Sequence, residues 1–245
     1  MTSQETPLTT RTWRQDSGID CTSCHVLRNA ARGPHELDGA HRTVQDVRFS
    51  DRRACQQCHA STVREQLEGP STKLRDRTCQ QCHMPKLPRH LAVGLYQVLR
   101  KRKKSTDHSF DLAALLRSAA TLDWKYDDSH RLLSVVVRNV GSPHFLPTGK
   151  HGAPVVRLVV YLESDERGKV PVKRTMEFCN KNGTAIGPAG TGTFELPLAS
   201  IVPARYSVHA RLLFLANEDS LEAEAPVMAQ ADFAVDYVPP APAEE

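Results

Sequence analysis

The chain has 245 residues, with Lys+Arg 32 against Asp+Glu 28, 40% hydrophobic residues and only 6% aromatic ones, which limits it to one large domain or two small ones. Balanced charge and apolar runs in the second half exclude collagen-like, mucin-like and wholly disordered classes, and a net charge of +4 excludes a strongly basic nucleic-acid binder. No stretch approaches the roughly 20 apolar residues of a membrane span, and residues 1–18 hold no apolar signal-peptide core. Aromatic side chains normally supply much of a core's buried area, so this composition points to a core filled partly by something else.

Six of the seven cysteines fall in three identical frames near the N-terminus: Cys21-Thr-Ser-Cys24-His25, Cys55-Gln-Gln-Cys58-His59 and Cys79-Gln-Gln-Cys82-His83. Cys-x-x-Cys-His is the pattern of covalent c-type haem attachment. Two thiols about one turn apart can each form a thioether to a haem vinyl group, and the adjacent His then lies under the iron as proximal ligand. The rival is zinc, since paired Cys-x-x-Cys units also build tetrahedral sites. Zinc needs no His directly after the second Cys, and three chance placements of such a His have a probability of roughly 1 in 10,000. Disulfides within each pair would leave the three histidines unexplained. The expectation is therefore three c-type haems, held by Cys21, Cys24, Cys55, Cys58, Cys79 and Cys82, with His25, His59 and His83 proximal.

Residues 1–90 are otherwise irregular, with few apolar residues and breaks at Gly33-Pro34, Gly69-Pro70 and Pro85. By ordinary criteria they would read as disordered; covalent haems supply the apolar surface around which short helical turns can pack. Helical periodicity begins at Leu91, with Leu95, Val98 and Leu99 on one side, and leads into the basic run Arg100-Lys101-Arg102-Lys103-Lys104. A second short helix is expected over 111–120, on the stripe Leu112, Leu115, Leu116 and Ala119. Beyond about residue 125 the period becomes two. Strands are predicted at 131–140, 154–163, 169–178, 192–197, 205–215 and 228–237, separated by turn signals such as Gly141-Ser142-Pro143. With no long helices between them they indicate an antiparallel β-sandwich. The fold class expected is an irregular, mostly α, haem-cored cytochrome domain over 1–125, an all-β antiparallel sandwich over 126–238, and an extended tail over 239–245.

With these frames and strands in view, the chain resembles bacterial multihaem c-type cytochromes that end in an immunoglobulin-like β-sandwich. The matching pieces are Gly18-Ile19-Asp20-Cys21, Cys79-Gln-Gln-Cys82-His83-Met84-Pro85, Asp107-His108-Ser109-Phe110 and Asn139-Val140-Gly141-Ser142-Pro143-His144-Phe145-Leu146-Pro147-Thr148-Gly149. The resemblance implies that His108 and His144 are distal haem ligands, with His41 of Gly39-Ala40-His41-Arg42 the third. Ser142-Pro143 stands where such proteins often have a Gly before the His. His90 is the best substitute ligand, followed by His35 and His151. Eight non-proximal His against four Met favour His/His ligation, which gives lower potentials than His/Met and leaves no open coordination site.

The expected function is electron transfer between redox partner proteins or along a larger membrane-associated or filamentous assembly, with no catalytic residues. Two alternatives remain: an enzyme acting on a small nitrogen or sulfur species at a five-coordinate haem, and a structural subunit of a multihaem complex. Nucleic acid is not an expected partner, and no segment spans a membrane. The Arg100–Lys104 run reads as a solvated helix face, a neutraliser of haem propionates, or a docking patch for an acidic partner. Cys179 reads as a buried inert thiol. The resemblance implies maturation in the periplasm or outside the cell, so the missing signal peptide points first to a mature or truncated product, with a misassigned start codon or export with a partner as the alternatives.

Overall fold

The computed structural model describes residues 21–27, 29–36, 42–70, 72–90, 101–110, 112–149, 153–166 and 170–237. The chain divides into two compact units, Met1–Arg64 with Asp76–Phe110, and Glu65–Arg75 with Asp111–Glu245. The division at 110/111 precedes the 125/126 boundary expected from the change of period.

In the first unit each Cys-x-x-Cys-His frame coils into a helical turn. The first is α1 (Cys21–His25). The second begins in α2 (Arg53–Gln56) and closes with the His59 N–H on the Cys55 carbonyl at 2.9 Å, directly ahead of α3 (Ala60–Glu68). Segment Thr72–Arg75, which the division assigns to the second unit, forms α4. The third frame is α5 (Cys79–His83), started by a capping box in which the Thr78 hydroxyl accepts from the Gln81 N–H and Gln81 Oε1 accepts from the Thr78 N–H.

Small ladders join these turns. Strand β1 (Val26–Leu27) pairs antiparallel with β2 (Ala30–Gly33), which pairs parallel with β3 (Thr43–Gln45). Strand β4 (Lys86–Arg89) pairs antiparallel with β5 (Lys103–Thr106). The expected predominance of helix is therefore not seen among the described residues, because Pro and Gly interrupt the segment before an apolar stripe of helical length can form. Lys103 and Lys104 lie on a strand, not on the helix face read from the basic run. The helical pattern from Leu91 to Leu99 lies outside the described residues.

The second unit opens with α6 (Leu112–Ala119), which buries Leu116 and Ala119 of the predicted stripe, while Leu115 is half-buried and Leu112 is exposed. Seven strands follow in two sheets. One sheet has the order β10 (Thr191–Pro197), β7 (Leu132–Asn139), β6 (Ala120–Asp127); the other has β12 (Val227–Tyr237), β11 (Ala204–Leu215), β8 (Val155–Ser164), β9 (Val172–Phe178). Every pairing in both sheets is antiparallel. All six predicted strands are present. The seventh, β6, continues directly from α6 and alternates Leu122, Trp124 and Tyr126 with charged neighbours.

Inward residues Leu133, Val135, Val137, Val156, Leu158, Val160, Leu162, Val208 and Leu212 have no exposed surface, as period-two alternation requires. Gly192 on β10 is needed for close packing, since a Cβ there would strike the Phe178 ring and Ile186. The Tyr206 hydroxyl, near the start of β11, donates to the Val202 carbonyl. Cys179 is buried in a small cluster with Val155, Leu213 and Leu215, where an inert thiol was expected. The two units differ in their interiors. Among the described residues, every buried apolar side chain except Val63 belongs to the second unit.

Candidate functional site

Within the first unit the frame residues form a connected set. None of the six frame thiols is buried, in contrast to Cys179. Coiling each frame puts its two thiols about one turn apart, as attachment requires. The first cysteines of the second and third frames also meet: the Cys55 thiol is hydrogen-bonded to Cys79. That bond lowers the Cys79 thiol below its ordinary value and, together with partial burial, raises the Cys55 thiol.

His25 sits in a defined cradle. Its Nδ1 donates to the Arg32 carbonyl at 2.7 Å, and its ring stacks on Phe49 with centroids 4.8 Å apart and planes 8° from parallel. One carboxylate organises both partners. Asp46 accepts from the Arg48 N–H, so capping the short 3-10 turn Val47–Ser50 that presents Phe49, and its Oδ2 receives the Arg48 guanidinium at 2.6 Å. Arg32 reaches the same carboxylate at 3.6 Å, and the Asp46 N–H bonds the Gly33 carbonyl at 2.8 Å. The hydrogen bond from Arg48 holds the Asp46 carboxyl down at about 2. Gln80, inside the third frame, donates to the Asp51 carbonyl at 2.6 Å and the Phe49 carbonyl at 3.4 Å. The third frame is thereby tied to the turn that carries the aromatic partner of His25.

His108 follows the β4–β5 ladder. The Asp107 N–H bonds the Pro85 carbonyl at 2.9 Å, two residues beyond the third frame. Asp107 then accepts from the Ser109 N–H and hydroxyl, which lowers its carboxyl. His108 Nδ1 donates to the Thr106 carbonyl at 3.2 Å. The His25 and His108 ring centroids are 6.1 Å apart, with planes at 55°.

His144 belongs to the second unit and is held as tightly. Its Nδ1 lies 2.9 Å from Ser142 Oγ and 3.1 Å from the Phe145 carbonyl, so Ser142, the departure from the family pattern, itself contacts the ring. Buried Asn139 accepts from the Ser142 N–H at 3.1 Å and donates to the His144 carbonyl at 3.0 Å. Glu65 Oε2 accepts from the Phe145 N–H at 3.1 Å and from Thr148 Oγ1 at 2.8 Å. Burial lowers the His144 ring below its ordinary value, which favours the neutral imidazole that can bind a metal.

A common chemistry links His25, His108 and His144. In each, Nδ1 faces a main-chain carbonyl, which assigns the ring proton to Nδ1 and the lone pair to Nε2. Metal-bound histidines are oriented in this way by their second nitrogen. His209 and His130 differ, with Nδ1 on the carboxylates of Asp232 and Asp127 at 2.6 and 2.9 Å in exposed hydrogen bonds. His90 Nε2 accepts from Arg102 at 3.4 Å, and its buried Nδ1 has no hydrogen-bond partner among the described residues. His59 and His35 are exposed. His41 and His151 lie outside the described residues. Among the described residues no three His, Cys, Asp or Glu side chains converge as a metal cage.

Asp46, Phe49, Glu65 and Asn139 were not found by sequence reasoning. Phe49 carried the only available signal, as an aromatic in a segment nearly devoid of them.

A penta-heme cytochrome c552 from Thermochromatium tepidum matches this chain with a TM-score of 0.54 and 18% identity, over 85% of this chain and 69% of that one. The two chains share a fold. A superoxide reductase (neelaredoxin) from Archaeoglobus fulgidus matches with a TM-score of 0.29 and 11% identity, over 50% of this chain and 94% of that one. No family model and no curated protein matches the sequence. No helix among the described residues is long and apolar enough to cross a membrane.

Proposed function

We propose that the protein is an electron carrier with three covalent c-type haems. The observation that carries this reading is the set of three Cys-x-x-Cys-His frames, each coiled into a helical turn with no cysteine fully buried. The attachment residues are Cys21 and Cys24, Cys55 and Cys58, and Cys79 and Cys82, with His25, His59 and His83 proximal. His108 and His144 are proposed as distal ligands, together with His41. A first unit almost without buried apolar side chains among its described residues suits a domain whose core is prosthetic, and the likeness to a penta-heme cytochrome supports haem chemistry on this fold.

The haems supply one-electron cycling between ferrous and ferric iron. The chain's own residues hold neutral imidazoles by Nδ1–H bonds to carbonyls and fix the approach of each ring. His/His ligation leaves no open site, so the protein is read as a relay between redox partners or within a larger multihaem assembly, not as an enzyme. The strand order, with Tyr206 bonded back to Val202, has the features of an immunoglobulin-like sandwich; it is read as a docking or assembly module. Covalent attachment of this kind would take place in the periplasm or outside the cell, which is the location proposed for this protein.

A pyridine haemochrome count with ferric-state spectroscopy tests the proposal. Three covalent haems per chain, all low-spin, are expected. Fewer than two would overturn it. A high-spin fraction that binds cyanide in the unmodified protein would favour the enzyme reading instead.

A further inference from the structure

Resting on the haem reading above, we propose that His25 and His108 are the two axial ligands of a single iron, so that His108 completes the haem attached at Cys21 and Cys24. Nothing in the sequence pairs them. They are 83 positions apart, and His108 lies closer in sequence to the third frame.

The geometry favours the pairing. A metal–imidazole bond is about 2.0–2.1 Å, and with roughly 1 Å from nitrogen to ring centre on each side, two rings sharing one metal have centroids roughly 6 Å apart. The His25 and His108 centroids are 6.1 Å apart. Both rings have Nδ1 on a backbone carbonyl, of Arg32 and Thr106, which leaves each Nε2 as the coordinating atom.

Each ring is also fixed from outside the pair. Phe49 stacks on His25 at 4.8 Å, and the Asp107–Ser109 turn and the Asp107 bond to Pro85 set the path into His108. His108 is thus carried by the β4–β5 ladder that leaves the third frame, yet serves the first. The haem of the first frame would be clamped between two segments distant in sequence.

The test uses the haem-loaded full chain. His108→Ala should retain three covalent haems, while one of the three becomes high-spin and binds cyanide. Added imidazole should restore its low-spin spectrum. In a Cys21→Ala/Cys24→Ala background, which carries two haems, His108→Ala should change neither. For the unmodified protein, nuclear Overhauser contacts of the His108 ring in the paramagnetic spectrum should fall on the haem linked to Cys21 and Cys24.

Two outcomes overturn the pairing while leaving the haem reading intact: all three haems stay low-spin in His108→Ala, or His108→Ala opens a haem in the two-haem background. His108 contacts on another haem would also overturn it. A count below two in the unmodified chain overturns the haem reading and the pairing together.

Discussion

At the scale of single residues, the groups that would touch iron are legible in the sequence and the groups that position them are not. Cys-x-x-Cys-His carries its chemistry within five residues, so no fold is needed to read it. Asp46 acts through Arg32, Arg48 and the turn bearing Phe49, and those partners are set by tertiary structure. It is a positioning residue for His25, with a pH signature. Its carboxyl is held near 2 against an ordinary 3.8, so its contribution to stability is complete above about pH 4 and is lost as pH falls toward 2. Thermal unfolding of the haem-loaded protein, followed by Soret circular dichroism, should become steeply less favourable across that window. Asp46→Asn should lower the stability at neutral pH and flatten the acid slope; an unchanged slope would remove Asp46 from this role. Asn139 shows the same limit, because it falls within the segment that resembles multihaem cytochromes, yet the sequence alone does not say that its side chain brackets the His144 turn.

At the scale of elements, periodicity identified α6 and six strands, because each buries one face against a neighbour. It missed β6 because the change of period was placed at about residue 125, after the alternation of Leu122, Trp124 and Tyr126 had begun directly out of α6. The Trp124 ring stacks on Phe233 of β12 at 4.0 Å, a contact invisible without the fold. The basic run was misplaced because charge carries no period of its own; Lys103 and Lys104 are paired with Arg89 and Pro88 across a ladder.

Two substitutions measure how tightly the sandwich is specified. Tyr206→Phe removes the bond to Val202 and should cost about 0.5–1.5 kcal/mol by denaturant unfolding. Gly192→Ala forces a methyl against Phe178 and Ile186 and should cost about 1–3 kcal/mol as overpacking. Gly192 has no positive φ, so its cost is packing alone, and an unchanged stability in Gly192→Ala would remove the contact with Phe178 and Ile186 from this account.

For the whole molecule, the contrast in buried apolar residues separates two kinds of stability. The second unit has a continuous core from Leu116 to Tyr237 and should fold without a cofactor. The first has only Val63 buried among its described residues. Replacing the six frame cysteines by Ala should therefore leave a cooperative β-sheet melt for the second unit. Limited proteolysis should then cut within 21–64 and 76–110, segments expected to resist in the haem-loaded chain. Protection of those segments in the six-Ala variant would show that side chains alone hold the first unit.

The exposure of the frame thiols bears on the order of events during maturation. A thioether forms only if a sulfur can reach a vinyl carbon, and a domain that had already closed around its own side chains would hide that sulfur. Cys21, Cys24 and Cys58 are exposed and Cys55, Cys79 and Cys82 are half-buried, while the one cysteine outside the frames is enclosed. On the proposed reading, the first unit stays open as a substrate for attachment while the sandwich is already a finished structure. Each attachment then withdraws a reactive thiol as it adds apolar bulk, so loading and folding of the first unit advance together and a partly loaded chain remains exposed to proteases.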